Sequence, residues 1–185
     1  MGDFKMGSKT VMSQSGTSNP TWGANAPTGT ILNVVQNQFN NTRTAGGGSS
    51  SKDTFYSFSP AVTCTISNCT TGNKILISCF LHVSVNESNR AIKLRLIDKT
   101  NSDAVIGSEG AGGLFGVYQQ YINYGGVPVS YEILYTPPSF SSGSFQVELL
   151  AAVDDGGETS YLNYVATNNS SREFSSNIIL KEIAG

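Results

Sequence analysis

The chain contains a single histidine, His82. A serine-hydrolase triad would need this residue as its base, yet the Gly-x-Ser-x-Gly elbow that accompanies such a triad in α/β-hydrolases is absent. His82 lies inside a strand-like run of apolar residues, which favours a structural or half-buried surface histidine. Paired carboxylates for glycoside cleavage stay open, although no pair stands out by position. The sequence therefore predicts a protein that is not an enzyme and has no catalytic residues.

Two groups of carboxylates could bind a cation. The turn at residues 154–158 (DDGGE) places acidic side chains around a bend that glycine permits, and Ca²⁺ prefers oxygen ligands of this kind. The turn lacks the ligand spacing of an EF-hand loop, so a solvated turn is the favoured interpretation. Asp98 and Asp103 are interpreted in the same way. We predict no metal site and no cofactor.

Tyrosines form a third group, because an aromatic ring with a polar tip suits both sugar recognition and subunit interfaces. Packing in the core and at an interface between subunits is favoured over a receptor site. The candidate interface or ligand residues are Tyr118, Tyr121, Tyr124, Tyr161 and Tyr164, and Tyr131 and Tyr135 belong to the same aromatic set.

The three cysteines, Cys64, Cys69 and Cys79, cannot all pair with one another. Cys64 and Cys69 flank a turn and could be bridged, whereas Cys79 lies in the middle of a strand and resembles a small buried thiol. Reduced cysteines are favoured, because nothing in the sequence indicates export to an oxidising compartment. The pairing of Cys64 with Cys69 stays open.

Composition limits the class of protein. The net charge is −2 and only 13% of the 185 residues are charged, with no cluster of lysine or arginine, so we expect no nucleic-acid partner. No apolar run reaches the roughly 18 residues of a membrane span, and residues 1–7 lack the apolar centre of a signal peptide. We expect one domain plus an arm, made in the cytoplasm without Sec export and not inserted in a membrane.

The strongest pattern in the chain is the run from Lys74 to Val85. Alternate residues from Ile75 to Val85 are apolar, which predicts a strand with one buried face and a second face that is half covered. Residues 92–96 alternate in the same way, and the polar stretch at residues 86–90 between the two runs predicts an antiparallel hairpin. The predicted core residues are Ile75, Ile77, Leu81, Val83, Leu94, Leu96, Val147 and Leu149.

Further strands follow at intervals of roughly 8–15 residues, which is the rhythm of a sandwich or a jelly roll. The predicted strands are residues 29–36, 54–58, 62–66, 104–107, 129–135, 145–153, 161–165 and 178–183, and the predicted loops include residues 42–52 and 168–171. The first and last strands are both apolar, and we expect them to pair near the middle of a sheet. The fold class is all-β, an antiparallel jelly-roll-like β-sandwich with an extended N-terminal arm.

The arm is residues 1–28 and the sandwich is residues 29–185. The arm is rich in Gly, Ser, Thr and Asn, so it cannot bury enough apolar surface to fold alone. A disordered tail is one interpretation. The favoured one is an extended arm that attaches to other subunits, with Trp22, the only tryptophan, as its anchor.

Several blocks of the sequence resemble a known family, the small β-sandwich domains at the distal ends of fibre-like virion proteins of tailed phages, common in phages of marine bacteria and cyanobacteria. The likeness covers residues 29 to the end. It is carried, in order, by residues 29–36 (GTILNVVQ), 66–67 leading to 73–77 (NKILI), 94–98 (LRLID), 129–135 (VSYEILY) and 178–184 (IILKEIA). Residues 11–16 and 19–23 resemble the stretch that often precedes this domain.

The resemblance implies a trimeric knob on the virion surface, with no catalytic residues to carry over. Its partners would be two further copies of this chain, other virion proteins through the arm, and a host surface glycan if the knob contacts the host. Such families usually have a long shaft before the knob, and only a short arm precedes it here. Two functions therefore stay open: a surface fibre (tail fibre or short head fibre), or a capsid decoration protein that cements the head without receptor binding.

Overall fold

A computed structural model describes residues 4–6, 8–13, 21–22, 26–47, 50–87, 89–107, 115–119, 126–167 and 170–185, and every regular element among them is a β-strand. The strands are β1 (Phe4–Met6), β2 (Lys9–Ser13), β3 (Thr21–Trp22), β4 (Ile31–Phe39), β5 (Arg43–Gly46), β6 (Tyr56–Ile66), β7 (Lys74–Val85), β8 (Arg90–Asp98), β9 (Ala104–Val105), β10 (Phe115–Gln119), β11 (Val127–Tyr135), β12 (Phe145–Val153), β13 (Thr159–Leu162), β14 (Tyr164–Thr167), β15 (Ser170–Glu173) and β16 (Ser176–Ile183).

Eleven of the described strands form two packed layers. The first layer has the order β11–β7–β16–β4, and β13 and β5 extend it beside the end of β7. The second layer has the order β10–β8–β12–β6, with β9 on the same edge of β8 as β10. A single pair, Thr44 in β5 with Ser59 in β6, connects the layers through the strand ladder. The predicted all-β antiparallel sandwich is confirmed.

Strand β7 lies at the centre of the first layer. One of its edges pairs with β11 over nine residues, while the other edge pairs with β16 at Lys74–Phe80 and with β13 at Val83–Val85. All the residues predicted for its apolar face are buried. The predicted strand and its buried face are confirmed.

The predicted hairpin between β7 and β8 is wrong. β8 pairs with β12, β10 and β9 and not with β7, so the chain crosses from the first layer to the second between Val85 and Arg90. Each strand has one strongly apolar face, and packing these faces against each other across the core buries both. A short polar connection is compatible with either arrangement, so the local sequence does not distinguish them.

Strands β4 and β16 pair along their length, as expected for the first and last strands of the sandwich. The expectation that both lie near the middle of a sheet holds only for β16, because β4 is the last strand of its layer. The edge of β4 faces β6 in the second layer. The side-chain amides of Asn33 and Asn37 donate hydrogen bonds to the carbonyl oxygens of Ser67 (2.8 Å) and Thr63 (2.7 Å). These bonds close one side of the sandwich.

The two short strands predicted at residues 54–58 and 62–66 are one continuous strand, β6, with an irregular middle. Its ladder with β12 shifts between Leu149 and Leu150, so that Val62 and Ser57 face consecutive residues of the partner. The residues looped out between them include Phe58, which is buried in the core.

Two predicted loops contain strands. Residues 42–52 include β5, because Ala45 is buried and the backbone of β5 pairs with β13. Residues 168–171 overlap β15, which pairs with β14. Neither segment has the apolar alternation by which a strand is recognised, and their pairing is imposed by the neighbouring strands.

The arm has more local order than a single extended chain. Antiparallel pairing joins β1 to β2, and Met12 and Ser13 of β2 to Trp22 and Thr21 of β3. These three strands form their own small sheet and pair with no strand of the two layers in the described part of the chain. The hydrogen bonds of the sandwich begin where the arm was predicted to end, at Thr28 and Gly29, which bond to Gly185 and Ala184. The boundary between residues 28 and 29 stays a prediction.

The eight predicted core residues are all at most 3% exposed. They come from β7, β8 and β12, so both layers contribute to one continuous core.

Replacing Leu94 or Leu149 with alanine is expected to lower the free energy of unfolding by about 2–5 kcal/mol, because each fully buried side chain would leave a cavity. Urea denaturation followed by circular dichroism measures this change. Val105→Ala is the control, since Val105 is 38% exposed and its loss should change stability by about 0.5 kcal/mol or less. Losses below about 1 kcal/mol at both leucines would contradict the described core.

Candidate interaction surface

His82 is placed for packing. Its ring stacks on Phe174 with centroids 3.8 Å apart and planes within 8° of parallel. Its Nδ1 atom is buried and has no hydrogen-bond partner among the described residues, and burial lowers the pKa of the imidazole. The nearby Ser176 hydroxyl accepts a hydrogen bond from the backbone N–H of His82 (2.9 Å). This arrangement matches the predicted structural histidine.

Asn163 holds the strands around His82 together. It is fully buried with a φ of +63°, a left-handed conformation that asparagine adopts more readily than most residues. Its amide nitrogen donates to the carbonyl oxygen of Phe39 (2.7 Å), and its amide oxygen accepts from the Ser176 hydroxyl (2.5 Å). Its backbone N–H donates to the carbonyl oxygen of His82 (2.8 Å). The sequence alone does not reveal this residue, because its role depends on three distant partners.

The acidic turn at residues 154–158 is less solvated than predicted. Glu158 is buried and its carboxylate lies 3.6 Å from Arg90, which also contacts Asp155 at 3.1 Å. Burial, and then repulsion from Glu87, raises the pKa of Glu158, whereas Arg90 acts in the opposite direction. Among the described residues, no three His, Cys, Asp or Glu side chains are grouped so that they could hold a metal ion.

Asp98 is also not a solvated turn residue. It is fully buried and accepts hydrogen bonds from the backbone N–H groups of Thr100 (2.9 Å) and Asn101 (3.1 Å) and from the Tyr135 hydroxyl (3.1 Å). Burial, reinforced by this carboxylate, raises the pKa of Tyr135 to about 12. The carboxylate of Asp103 instead forms an ion pair with Lys99, with 2.8 Å between Oδ1 and Nζ. The two aspartates therefore do not share a site, and Asp98 fixes the turn after β8.

The predicted tyrosine and tryptophan candidates are only partly within the described residues. Tyr121 and Tyr124 lie outside them, and for Tyr118 and Trp22 only the strand backbone is described. Tyr161 and Tyr164 lie together, with ring centroids 5.1 Å apart. Whether these residues form an interface or a ligand site stays a prediction.

Tyr131 and Tyr135 occupy the inner face of β11, where they pack against the core. For these two residues, core packing, the favoured interpretation, is correct.

All three cysteines are free, buried thiols. Burial raises the pKa values of Cys64 and Cys69 to about 11 and that of Cys79 to about 12. The Cys64 thiol donates to the carbonyl oxygen of Ile178 (3.6 Å) and the Cys69 thiol to that of Ile66 (3.9 Å). The structure agrees with the expectation of reduced cysteines.

The outer face of the first layer is the most unusual surface of the described chain. Strand register puts Leu134, Leu76, Lys181 and Val34 in one row across β11, β7, β16 and β4. The next rows contain Glu132, Ser78, Ile179 and Gln36, and then Ser130, Phe80, Asn177 and Gln38. We call the exposed side of these three rows, together with Ile31 at the end of β4, the apolar face.

The outer face of the second layer is different. Lys93 of β8 forms an ion pair with Asp53, Arg95 of β8 lies over the Phe55 ring at 3.7 Å, and Glu148 of β12 is 3.5 Å from Lys99. Charged side chains thus cover this face, as is typical of a sheet in contact with water. Among the residues whose side chains are described, only those of the first layer expose large apolar groups over several strands.

The sequence pattern predicted the part of the apolar face that β7 forms. The second side of β7 was predicted to be half covered, and Leu76, Phe80 and His82 are indeed at least partly exposed. The addition of Leu134 and Val34 to the same surface depends on the register of β11 and β4, and that register is a tertiary property.

No protein-family model matches the chain, and no curated protein sequence matches it. Among solved structures, the chain is similar to the infectious bursal disease virus Gx strain structure (TM-score 0.40, 9% identity, 84% of this chain and 33% of the other). It is also similar to the VP2 subviral particle of infectious bursal disease virus (TM-score 0.35, 10% identity, 93% and 42%) and to the Gt strain structure (TM-score 0.29, 8% identity, 95% and 45%).

The chain spans less than half the length of these three solved chains. With TM-scores below 0.5, the likenesses support no inference about function. In the part of the chain that the structure describes, no helix is long and apolar enough to cross a membrane.

The free energy of unfolding is expected to fall as pH decreases from about 7 to about 5.5. Burial holds the pKa of folded His82 below its ordinary value of 6.5, so the unfolded chain takes up a proton in a range where the folded chain resists it. Stability is thus fully present above pH 6.5 and is lost on acidification until the folded histidine also titrates. Urea denaturation at a series of pH values measures the slope.

His82→Gln is the control for this slope, because His82 is the only histidine in the chain. The variant should be less dependent on pH in the same range, whatever its absolute stability. Equal slopes in the two proteins would show that His82 does not cause the effect.

Proposed function

We propose that the protein is a structural protein of a phage virion, a trimeric surface fibre or knob that contacts the host surface. The observation that supports this proposal most directly is where the family-like blocks lie. Four of them correspond to β4, β7, β11 and β16, which are adjacent in the first layer. The fifth block, residues 94–98, is the end of β8 in the second layer.

The sandwich also has the properties that a surface knob needs. Buried polar groups hold its connections, Asp98 at the turn after β8 and Asn163 between β13 and β14, and its three thiols are buried. A broad apolar face on one layer and a charged face on the other suit a subunit that packs on copies of itself and meets solvent on the opposite side.

The alternative is a capsid decoration protein that stabilises the head without binding a receptor. Both functions use a compact sandwich and an attachment arm, and they differ in where the protein lies and in what its loss does. Electron microscopy of virions labelled with an antibody to residues 29–185 distinguishes a tail or vertex position from a regular capsid lattice.

A fibre that contacts the host should compete with virions for adsorption. Purified protein added in excess is expected to reduce phage adsorption in proportion to its concentration, and heat-denatured protein is the control. Normal adsorption at saturating protein, combined with heads that lose DNA more readily when the protein is missing, would favour decoration over the fibre.

The arm is expected to be needed for incorporation and not for folding. Deletion of residues 1–28 should leave a folded trimer that no longer joins the virion, because it removes the exposed bond from Thr28 to Gly185 but keeps the bond from Gly29 to Ala184 and the β4–β16 ladder. Trp22→Ala alone should weaken incorporation, since burial of an indole contributes about 4–6 kcal/mol before ordering costs. Quantitative immunoblots of purified particles measure the copy number, and a normal copy number after deletion would show that the arm is dispensable.

A further inference from the structure

The described chain has six large apolar side chains that are markedly exposed, and four of them lie on the apolar face. Ile31 is 47% exposed, Val34 53%, Phe80 48% and Leu134 52%. A fifth, Phe174, stacks on His82, which continues the outer side of β7 beyond Phe80. Only Val105 lies elsewhere, in β9 at the edge of the second layer. The exposure is therefore concentrated on one side of one sheet.

The charges within the three rows are few and of both signs. Glu132 on β11 accepts a hydrogen bond from the Ser78 hydroxyl (2.7 Å), and Lys181 on β16 lies in the next row, two strands away. A surface with only one acid and one base brings few charges into a contact with a neighbouring copy. It also lacks the group of basic side chains with which a protein surface attracts anionic lipid or nucleic acid.

The size of the apolar face suits a protein partner. Four strands spaced about 4.8 Å apart give a width of about 19 Å, and the seven-residue rise of β4 from Ile31 to Gln38 gives a height of about 24 Å. Each subunit would thus contribute about 450 Å². With an equal area on a different surface of the neighbouring copy, as a cyclic trimer requires, the contact would approach the roughly 1,000 Å² of the smaller specific interfaces.

We infer that the apolar face is the surface on which a second copy of this chain packs, with Phe80 and Leu134 among the contacting residues. This inference rests on the proposed trimer and deepens it by assigning its interface to the outer side of β11, β7, β16 and β4. The charged outer face of the second layer remains in solvent in the same assembly.

The test uses the full chain and substitutions that do not disturb the core. Phe80→Glu and Leu134→Glu each place a charge on an exposed position, so each variant should keep the circular dichroism spectrum of the parent. Light scattering coupled to size exclusion should find a trimer for the parent and monomers for both variants, with self-association weakened by about 30-fold or more. Val105→Glu is the matched control, an exposed valine off the apolar face, and should stay trimeric.

The possible outcomes distinguish a wrong assignment of the interface from a wrong proposal of the trimer. A trimeric parent with trimeric Phe80→Glu and Leu134→Glu variants would overturn the interface and leave the proposed function intact. A monomeric parent at micromolar concentration would contradict the trimer, and the interface with it. Dissociation of the Val105→Glu variant to the same extent would show that any added charge disrupts assembly, which would also overturn the assignment.

A labelling experiment gives a second readout that does not depend on dissociation. Leu134→Cys should react with a maleimide at least about 10-fold more slowly in the assembled protein than in the same protein carrying Phe80→Glu. Val105→Cys should react at the same rate in both backgrounds. The three native thiols are buried and contribute little to the signal. Equal rates for Leu134→Cys in both backgrounds would overturn the proposal.

Discussion

The backbone of β7 is the constraint on which the rest of the sandwich depends. Ten of its twelve residues are buried or half-buried and cannot leave their N–H and C=O groups without partners, since each unpaired group in the interior would cost about 1–3 kcal/mol. β7 meets this requirement with three strands from the second half of the chain: β11 on one edge, and β16 and β13 on the other. The first layer can therefore be completed only when residues far apart in sequence come together.

Buried polar side chains then fix the connections that the strands leave open. Asp98 holds the turn after β8, and Glu182 accepts hydrogen bonds from the backbone of Thr70 (2.8 Å) and the side chain of Asn73 (2.7 Å) before β7 begins. Asn163 joins the end of β4 to the start of β16. Each of these groups is expensive to bury without partners, so each favours one geometry of its connection. These bonds tie the connections between strands to the body of the sandwich.

The two outer faces differ in how well their apolar side chains are covered, and this difference is the basis of the proposed assembly. On the second layer, ion pairs and an arginine stacked on a phenylalanine cover the strands. On the first layer, exposed isoleucine, valine, phenylalanine and leucine side chains have no such cover among the described residues. Exposing these apolar side chains to water has a free-energy cost, and packing the first layer on a copy, as proposed, would remove that cost.

The sequence by itself determined the class of fold and the side of each main strand that faces the core. Alternation has a period of two residues, which is a local property, and so Ile75 to Val85, Leu94, Leu96, Val147 and Leu149 could be assigned correctly without knowledge of any partner. Only the tertiary structure decided which strands are neighbours. A polar connection such as that from Val85 to Arg90 fits a hairpin and a crossing between layers equally well, and the choice depends on which distant apolar faces can cover each other. The same holds for Asp98, Asn163 and the apolar face, because a carboxylate, an amide or an exposed leucine acquires its role from residues that only the completed sheet brings beside it.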